Sequence, residues 1–278
     1  MRGKDDTVSW TVIVPIKRLD LAKTRLRGAL PGVAHDGLVL AMTMDTVSAA
    51  LASPVVGRVV VVTDDQVAAD AVATIGAEVV ADVPDAGLNP ALAYAATVAR
   101  PKGAVASLPG VAALAADLPA LRPQELTAAL RRAEDVAWPP PGSAPTAGSG
   151  STTAAPTRAY VADATGTGTV LLAAPPGARL EPCFGAGSAA AHEASGAVAL
   201  AGEWPGLRRD VDTAADLLEA AELGVGPNTA MVIGFAEGRP TADKPSAATP
   251  DPNGAAPAAG AMAYRPAPHS GDRLRPAR

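Results

Sequence analysis

Three short runs of almost unbroken apolar residues constrain this chain most: Trp10–Ile16 (WTVIVPI), Arg58–Val62 (RVVVV) and Val111–Ala115 (VAALA). Successive side chains of a strand leave on opposite faces, so a strand that is apolar throughout must be covered on both sides. Helical spacing fills the gaps. It predicts helices over His35–Ala52, with Leu38, Met42 and Val47 turned inward, and over Gln66–Ile75. A short strand is expected at Glu78–Ala81. Asn89 followed by Pro90 reads as a helix start, with Asn as cap and Pro at the first helical position. Pro123–Glu134 is a further helix. Strands are expected at Ala159–Ala162, Thr169–Ala174, Ala197–Leu200 and Leu207–Val211. The last clear helix, Thr213–Leu223, is closed by Gly224. The pattern predicts an α/β fold: a mainly parallel sheet with helices on both faces, its ligands bound at the carboxyl ends of the strands.

Aromatic residues make up only 3% of the chain and hydrophobic residues 48%, so the core must be built from Ala, Val and Leu. Two segments are expected to stand outside it. Residues 138–157, rich in Pro, Gly and Ser, read as a flexible insertion. Residues 239–278 contain 8 Pro and no Ile, Val or Phe, and read as a disordered tail. Residues 1–238 are expected to form a single domain. A lone cysteine, Cys183, excludes an internal disulfide framework and a multi-cysteine zinc site. The three histidines are too scattered for a metal-binding helix, and His192 is expected on a helix surface without chemistry. The net charge of −5 argues against nucleic acid as a partner. No run is long and apolar enough to span a bilayer and no secretory leader is expected, so a cytoplasmic protein is the default. Oligomeric state is not readable.

The chemistry-bearing residues lie at strand ends. Of only 5 lysines, two (Lys17 and Lys23) fall within the eleven residues after the first strand, together with Arg18, Arg25 and Arg27. A cationic loop there suits a polyphosphate, and the contact is expected from Pro15 through Lys17 and Lys23 to Arg25. The alternative is a solvated basic surface. It is not a P-loop, because Lys23-Thr24 lacks the preceding glycines. Asp117 follows the Val111–Ala115 strand and could hold a hard cation or simply make a turn. Asp210 and Asp212, two residues apart, would share one face of a strand. Asp212 or Thr213 could instead cap the last helix, supported by Asp216. Gly166–Thr169 and Phe184–Ser188 are small-residue loops suited to phosphate or carboxylate, although Ser188 could merely cap a helix. Asn89 is a candidate contact for the base or ribose, with its capping role as the alternative.

Taken in order, VIVPIKRLDLAKTRL, VVVTDD, GLNPAL, ADLPAL, DATGTGTVLLA, FGAGS and GLRRDVDTAADL resemble the 2-phospho-L-lactate/phosphoenolpyruvate guanylyltransferases of coenzyme F420 biosynthesis. The resemblance spans roughly Val8 to Pro227. It implies a nucleotidyltransferase fold of the glycosyltransferase-A type. It also implies Mg2+ held by Asp117, Asp210 and Asp212, an acceptor held by Thr169, Gly185 and Ser188, and phosphates met by Lys17 and Lys23. Lys17, Lys23 and Asp117 would then carry catalysis, and the substrates would be GTP and phosphoenolpyruvate or 2-phospho-L-lactate. Departures are the 138–157 insertion, the tail, and an extra apolar stretch at Ala104–Gly110. Two other readings stand beside this one. One is a nucleotidyltransferase acting on a sugar or alcohol phosphate. The other is a non-catalytic nucleotide-binding module.

Overall fold

The computed structural model describes residues 9–20, 22–83, 86–99, 109–137 and 156–236. The expected tail, nearly all of the expected insertion, and most of the Ala104–Gly110 stretch lie outside the described residues.

The three apolar runs form adjacent parallel strands. β1 (Trp10–Pro15) pairs with β2 (Val56–Val62) on one side and with β4 (Gly110–Leu114) on the other. β3 (Glu78–Val80) extends the sheet beyond β2, again parallel. The chain then reverses. β6 (Thr169–Ala174) runs antiparallel to β4 and to β5 (Ala159–Ala162), and β7 (Val198–Ala199) closes the edge parallel to β5. The order is β3-β2-β1-β4-β6-β5-β7. Consecutive strands thus leave β1 in opposite directions, and the carboxyl ends of β1 and β4 flank the point where a doubly covered sheet opens a crevice.

The two-residue period of the strands divides the core into two layers. Val12, Val14, Val59, Val61, Ala112, Leu114, Leu171 and Ala173 face one side. There they meet α1 (His35–Leu51), α2 (Gln66–Thr74), α4 (Pro123–Ala137), α6 (Pro205–Arg208) and α7 (Ala214–Leu223). Ile13, Val60, Val62, Val111, Ala113, Leu172 and Ala174 face the other side, against α3 (Leu88–Val98) and α5 (Ser188–Ala194). The register between β1 and β4 opens with Trp10 beside Gly110. A Cβ on Gly110 would lie 2.6 Å from the Trp10 ring, so only glycine admits the indole there. The indole Nε1–H donates to Glu134 Oε1 at 2.8 Å, which satisfies the one polar atom of a fully buried side chain.

Three expectations are corrected. Leu207–Val211 is not a strand: Pro205 starts the one-turn helix α6, and residues 209–212 are irregular. Asn89 does not cap α3; Gly87 does, at φ 102°, which leaves the Asn89 side chain free for another use. A helix beyond Gly224 had no counterpart among the expected elements. This is α8 (Pro227–Ala236), which packs against α1. Its start is held from afar. Asp45 of α1 is buried, and its carboxylate accepts from Asn228 N (3.0 Å), Asn228 Nδ2 (2.8 Å) and Thr229 N (2.8 Å). An anion at a helix N-terminus satisfies donors that have no partner within the helix. Asp45→Ala strands those donors in a buried place and should cost about 1–3 kcal/mol in urea denaturation. Asp45→Asn, which keeps one accepting oxygen, should fall in between.

Candidate active site

One open cavity of about 820 Å³ lies over the carboxyl ends of β1 and β4. That lies within the range of small-molecule sites. Three walls meet there.

The basic loop forms the first wall. Ile16 extends the pairing of β1 through its N–H to Val62 O at 2.8 Å, and Leu19 and Leu26 are buried. Asp65 caps α2 through Ala68 N (3.0 Å) and takes Leu19 N (2.9 Å), so one carboxylate ties the loop to the sheet. Burial works against the Asp65 charge. The N–H groups of Leu19, Ala68 and Val67, with Arg18 nearby, outweigh it and hold the carboxyl below its ordinary range. Of the five basic residues of this loop, Lys17, Lys23 and Arg25 line the cavity. Arg18 and Arg27 turn back on Asp20 instead. Lys17 is solvent-exposed, whereas Lys23 adopts a left-handed backbone at φ 49° and keeps a side-chain exposure of 20%.

The second wall is acidic. Asp117 and Asp212 both form ion pairs with the Lys23 ammonium. Lys23 therefore does not lie in a freely solvated loop; it bridges carboxylates 95 residues apart in the chain. Backbone bonds set this up. Leu118 N donates to the buried Thr46 Oγ1 at 3.0 Å, and Val211 N donates to the Asp117 carbonyl at 3.1 Å. Asp210 also lines the cavity. Burial raises its pKa first, Asp163 and Asp212 add to the rise, and Lys23 opposes it. Thr213 caps α7 with Asp216 in a reciprocal capping box, so neither Asp210 nor Asp212 is used as the cap. The two Asp reach the cavity from an irregular segment and not from one face of a strand.

The third wall contains Thr169, Gly185 and Ser188. Ser188 is the first residue of α5 and Gly187, at φ 70°, precedes it as the cap, so the capping reading of Ser188 is corrected. Asn89 does not line the cavity. Its amide grips the Phe184 backbone from both ends, with Phe184 N to Oδ1 at 2.8 Å and Nδ2 to Phe184 O at 3.0 Å. His192 is not a surface residue. It is fully buried, with Nδ1 2.9 Å from Thr169 Oγ1 and Nε2 2.9 Å from Cys183 N.

Sequence reasoning passed over Asp163. It lies at the end of β5, lines the cavity beside Asp210, and takes Thr165 Oγ1 (3.0 Å) and Thr167 N (3.0 Å) on Oδ1. Its signal was the glycine-rich turn that follows. A Cβ on Gly168 would lie 2.6 Å from Asp163 Oδ2, so the turn closes over the carboxylate only with glycine.

The donor set suits a hard divalent cation. It is all carboxylate oxygen, and a cation, the Lys23 ammonium, already sits between two of its members. Among the described residues no three Asp, Glu, His or Cys side chains converge closely enough to form a ready-made metal cage.

Fold and site together define an α/β protein with a ligand crevice at its strand ends, lined by cations and carboxylates. Comparison with known proteins narrows the class. Residues 10–152 match the family model described as guanylyl transferase CofC like. The chain is 54% identical over 238 residues to the phosphoenolpyruvate guanylyltransferase of Salinispora arenicola, covering 86% of this chain and 99% of that protein. It is 54% identical over 238 residues to the protein of the same name from Geodermatophilus obscurus, covering 84% and 97%. The chain belongs to the guanylyl transferase CofC-like family. A crystal structure of a putative nucleotide-diphospho-sugar transferase from Desulfovibrio desulfuricans G20 superposes with a TM-score of 0.55 at 12% identity, covering 83% of this chain and 96% of that one. That likeness is one of fold.

The buried His192 makes stability depend on pH. Burial above all, then the charge of Arg158, pushes its pKa from 6.5 down to about 4, against a favourable contribution from the Ser188 carbonyl. The unfolded chain takes up a proton below about pH 6.5 that the folded protein refuses until about pH 4. The contribution is therefore complete above pH 6.5 and lost as pH falls towards 4. Urea denaturation of the wild type and of His192→Phe should show the wild-type advantage shrinking by about 3 kcal/mol between pH 7 and pH 4, at about 1.4 kcal/mol per pKa unit.

Proposed function

We infer that the chain is a guanylyltransferase of coenzyme F420 biosynthesis, joining the GMP part of GTP to phosphoenolpyruvate or 2-phospho-L-lactate with release of pyrophosphate. The observation that carries this reading is the meeting of three walls in one cavity: a basic loop, a carboxylate cluster and a small-residue loop. Phosphoenolpyruvate is the preferred acceptor, in keeping with the names of the relatives at 54% identity. The sheet, with its parallel half, its antiparallel β4–β6 pair and its ligand crevice beside β1, supports a glycosyltransferase-A type of nucleotidyltransferase fold. Residues 1–238 would be the catalytic domain. Among the described residues no helix is long and apolar enough to cross a membrane.

An oxygen of the acceptor phosphate attacks the α-phosphorus of GTP in line. A new P–O bond forms, the bond to the β-phosphate oxygen breaks, and pyrophosphate leaves with the electron pair. The acceptor phosphate is already an anion near neutral pH, so no side chain must remove a proton. The obstacle is repulsion between two polyanions, and the protein's task is neutralisation and alignment. Lys17 and Arg25, which have no ion pair among the described residues, face the cavity and are free to meet phosphate. Thr169, Gly185 and Ser188 hold the acceptor on the opposite wall. Asp117, Asp210 and Asp212 would hold Mg2+, which supplies positive charge against the triphosphate and the leaving pyrophosphate.

Mass spectrometry of products from GTP with each acceptor in turn tests the reading. Enolpyruvyl-diphospho-guanosine is expected from phosphoenolpyruvate. Product only from a sugar or alcohol phosphate would give the site to another nucleotidyltransferase, and binding without product would leave a nucleotide-binding module. Asp117→Asn, Asp210→Asn and Asp212→Asn should each collapse turnover and raise the magnesium needed for what remains. Lys17→Ala should weaken substrate use by about ten- to a hundredfold, the worth of one charge-assisted contact. Truncation after Gly238 should leave transfer within about twofold, as expected from a tail whose Pro-rich composition lacks Ile, Val and Phe.

A further inference from the structure

His192 has one neighbour whose hydrogen-bonding role is fixed. The Cys183 N–H is a backbone donor and can only donate, so the ring nitrogen 2.9 Å away, Nε2, must accept and carry no proton. A neutral imidazole has one protonated nitrogen, so the proton lies on Nδ1. Nδ1–H therefore faces Thr169 Oγ1 as an acceptor at 2.9 Å, with the Ser188 carbonyl as a second acceptor nearby. Neutrality itself is favoured by complete burial and by the neighbouring Arg158 guanidinium. The ring is further held between the Phe184 ring, edge-on with centroids 5.1 Å apart, and the Tyr160 ring at 6.0 Å.

One consequence reaches the cavity. A hydroxyl that accepts from Nδ1–H keeps its own O–H to give elsewhere. Thr169 Oγ1 has no other hydrogen-bond partner among the described residues, and Thr169 lines the cavity. We propose that His192 is a positioning residue for the acceptor: its Nδ1–H tautomer, set by the Cys183 backbone, turns the Thr169 hydroxyl into a fixed donor aimed at an anionic oxygen of the acceptor. The same imidazole holds the start of the Cys183–Ser188 loop, and Asn89 holds that loop one residue further on at Phe184. Thr169 and the loop are thereby locked to one ring. The acceptor wall selects an anion with neutral donors, while the cationic side chains remain on the nucleotide wall. The proposal rests on the guanylyltransferase reading above, and its tests separate the two.

The full chain and its variants His192→Phe, His192→Gln, Thr169→Val and His192→Phe/Thr169→Val are assayed with GTP and phosphoenolpyruvate, each varied in turn. His192→Phe should raise the KM for phosphoenolpyruvate roughly ten- to a hundredfold, the worth of a hydrogen bond to a charged group, and leave the KM for GTP within about twofold. Thr169→Val should do the same. The double variant should lose much less than the product of the two single effects, because both changes remove the same donor and only the hold on the Cys183–Ser188 loop is lost in addition. His192→Gln, which keeps an accepting oxygen and a donating amide, should recover most of the loss. An unchanged acceptor KM in folded His192→Phe, equal rises in both KM values, or effects that multiply in the double variant would overturn the proposal. Nitrogen-15 spectra of the ligand-free wild type, with His192 assigned by the signals missing from either His192 variant, read the tautomer directly. Protonated Nδ1 and bare Nε2 are expected, and the opposite tautomer overturns the proposal whatever the acceptor. Wild-type enzyme that makes no product from phosphoenolpyruvate would instead overturn the guanylyltransferase reading, with the tautomer still deciding the role of His192.

Discussion

Carboxylates do not assemble of their own accord. Two like charges 4 Å apart repel by about 4 kcal/mol at an effective dielectric of 20. The Asp117 and Asp210–Asp212 segments are therefore brought together by something other than their side chains. That link is the bond from Val211 N to the Asp117 carbonyl, at 3.1 Å. It is a backbone bond and does not vary with the ionisation of either side chain. On one side the Asp117 loop is fixed by Thr46 of α1 through Leu118 N, and on the other by Gly226 N to Pro119 O at 2.8 Å. Asp45, the neighbour of Thr46, anchors the start of α8. One turn of α1 thus braces both the loop that carries Asp117 and the start of α8, the second helix after the acidic segment. Lys23 then closes over the carboxylates as a local countercharge.

The sheet was legible because its information is local. WTVIVPI, RVVVV and VAALA are apolar at every position, and a strand covered on both faces has no other sequence form. Asp117 stood out for the same reason, at the end of such a strand. GLRRDV misled because it is too short to show a period. Pro205 starts a helix of one turn there, and the two Asp reach the cavity from a segment with no regular repeat. The helix α8 was missed because its decisive signal is remote. PNTAMVIGFA has a Pro at its start but no capping side chain of its own, since Asp45, more than 180 residues earlier, takes the role. Asn89 before Pro90 carried a capping signature that proved to be coincidental. The backbone capped α3 at Gly87, and the amide went to Phe184, 95 residues away. Asn89 and Asp45 both spend their polar groups on partners far along the chain, which no local string reveals.

His192 shows the same limit in its strongest form. In SAAAHEA it sits beside Glu193 on a seven-residue helix, and nothing in that string distinguishes a buried face from a wet one. What buries it is the packing of Tyr160 from β5, Thr169 from β6 and the Cys183–Phe184 turn. Burial without a carboxylate partner then dictates a neutral ring, and a neutral ring with one compulsory donor beside it has only one tautomer left.

The division of labour between the two walls follows from what each must discriminate. A triphosphate is recognised well enough by mobile cations, because its charge is dense and diffuse contacts suffice. A small acceptor with a carboxylate and a phosphate must also be oriented, since the attacking oxygen has to lie in line with the bond being broken. A lysine on that wall would bind either anionic end and would tolerate a reversed pose. A hydroxyl that accepts from a buried imidazole would donate its proton to an oxygen from a narrow range of directions only. In the proposed reading, rigid neutral donors on one side and charged contacts on the other would separate orientation from neutralisation. The supports of the two walls differ: Asp65 ties down the basic loop, and His192 and Asn89 hold the Thr169 and Phe184 side.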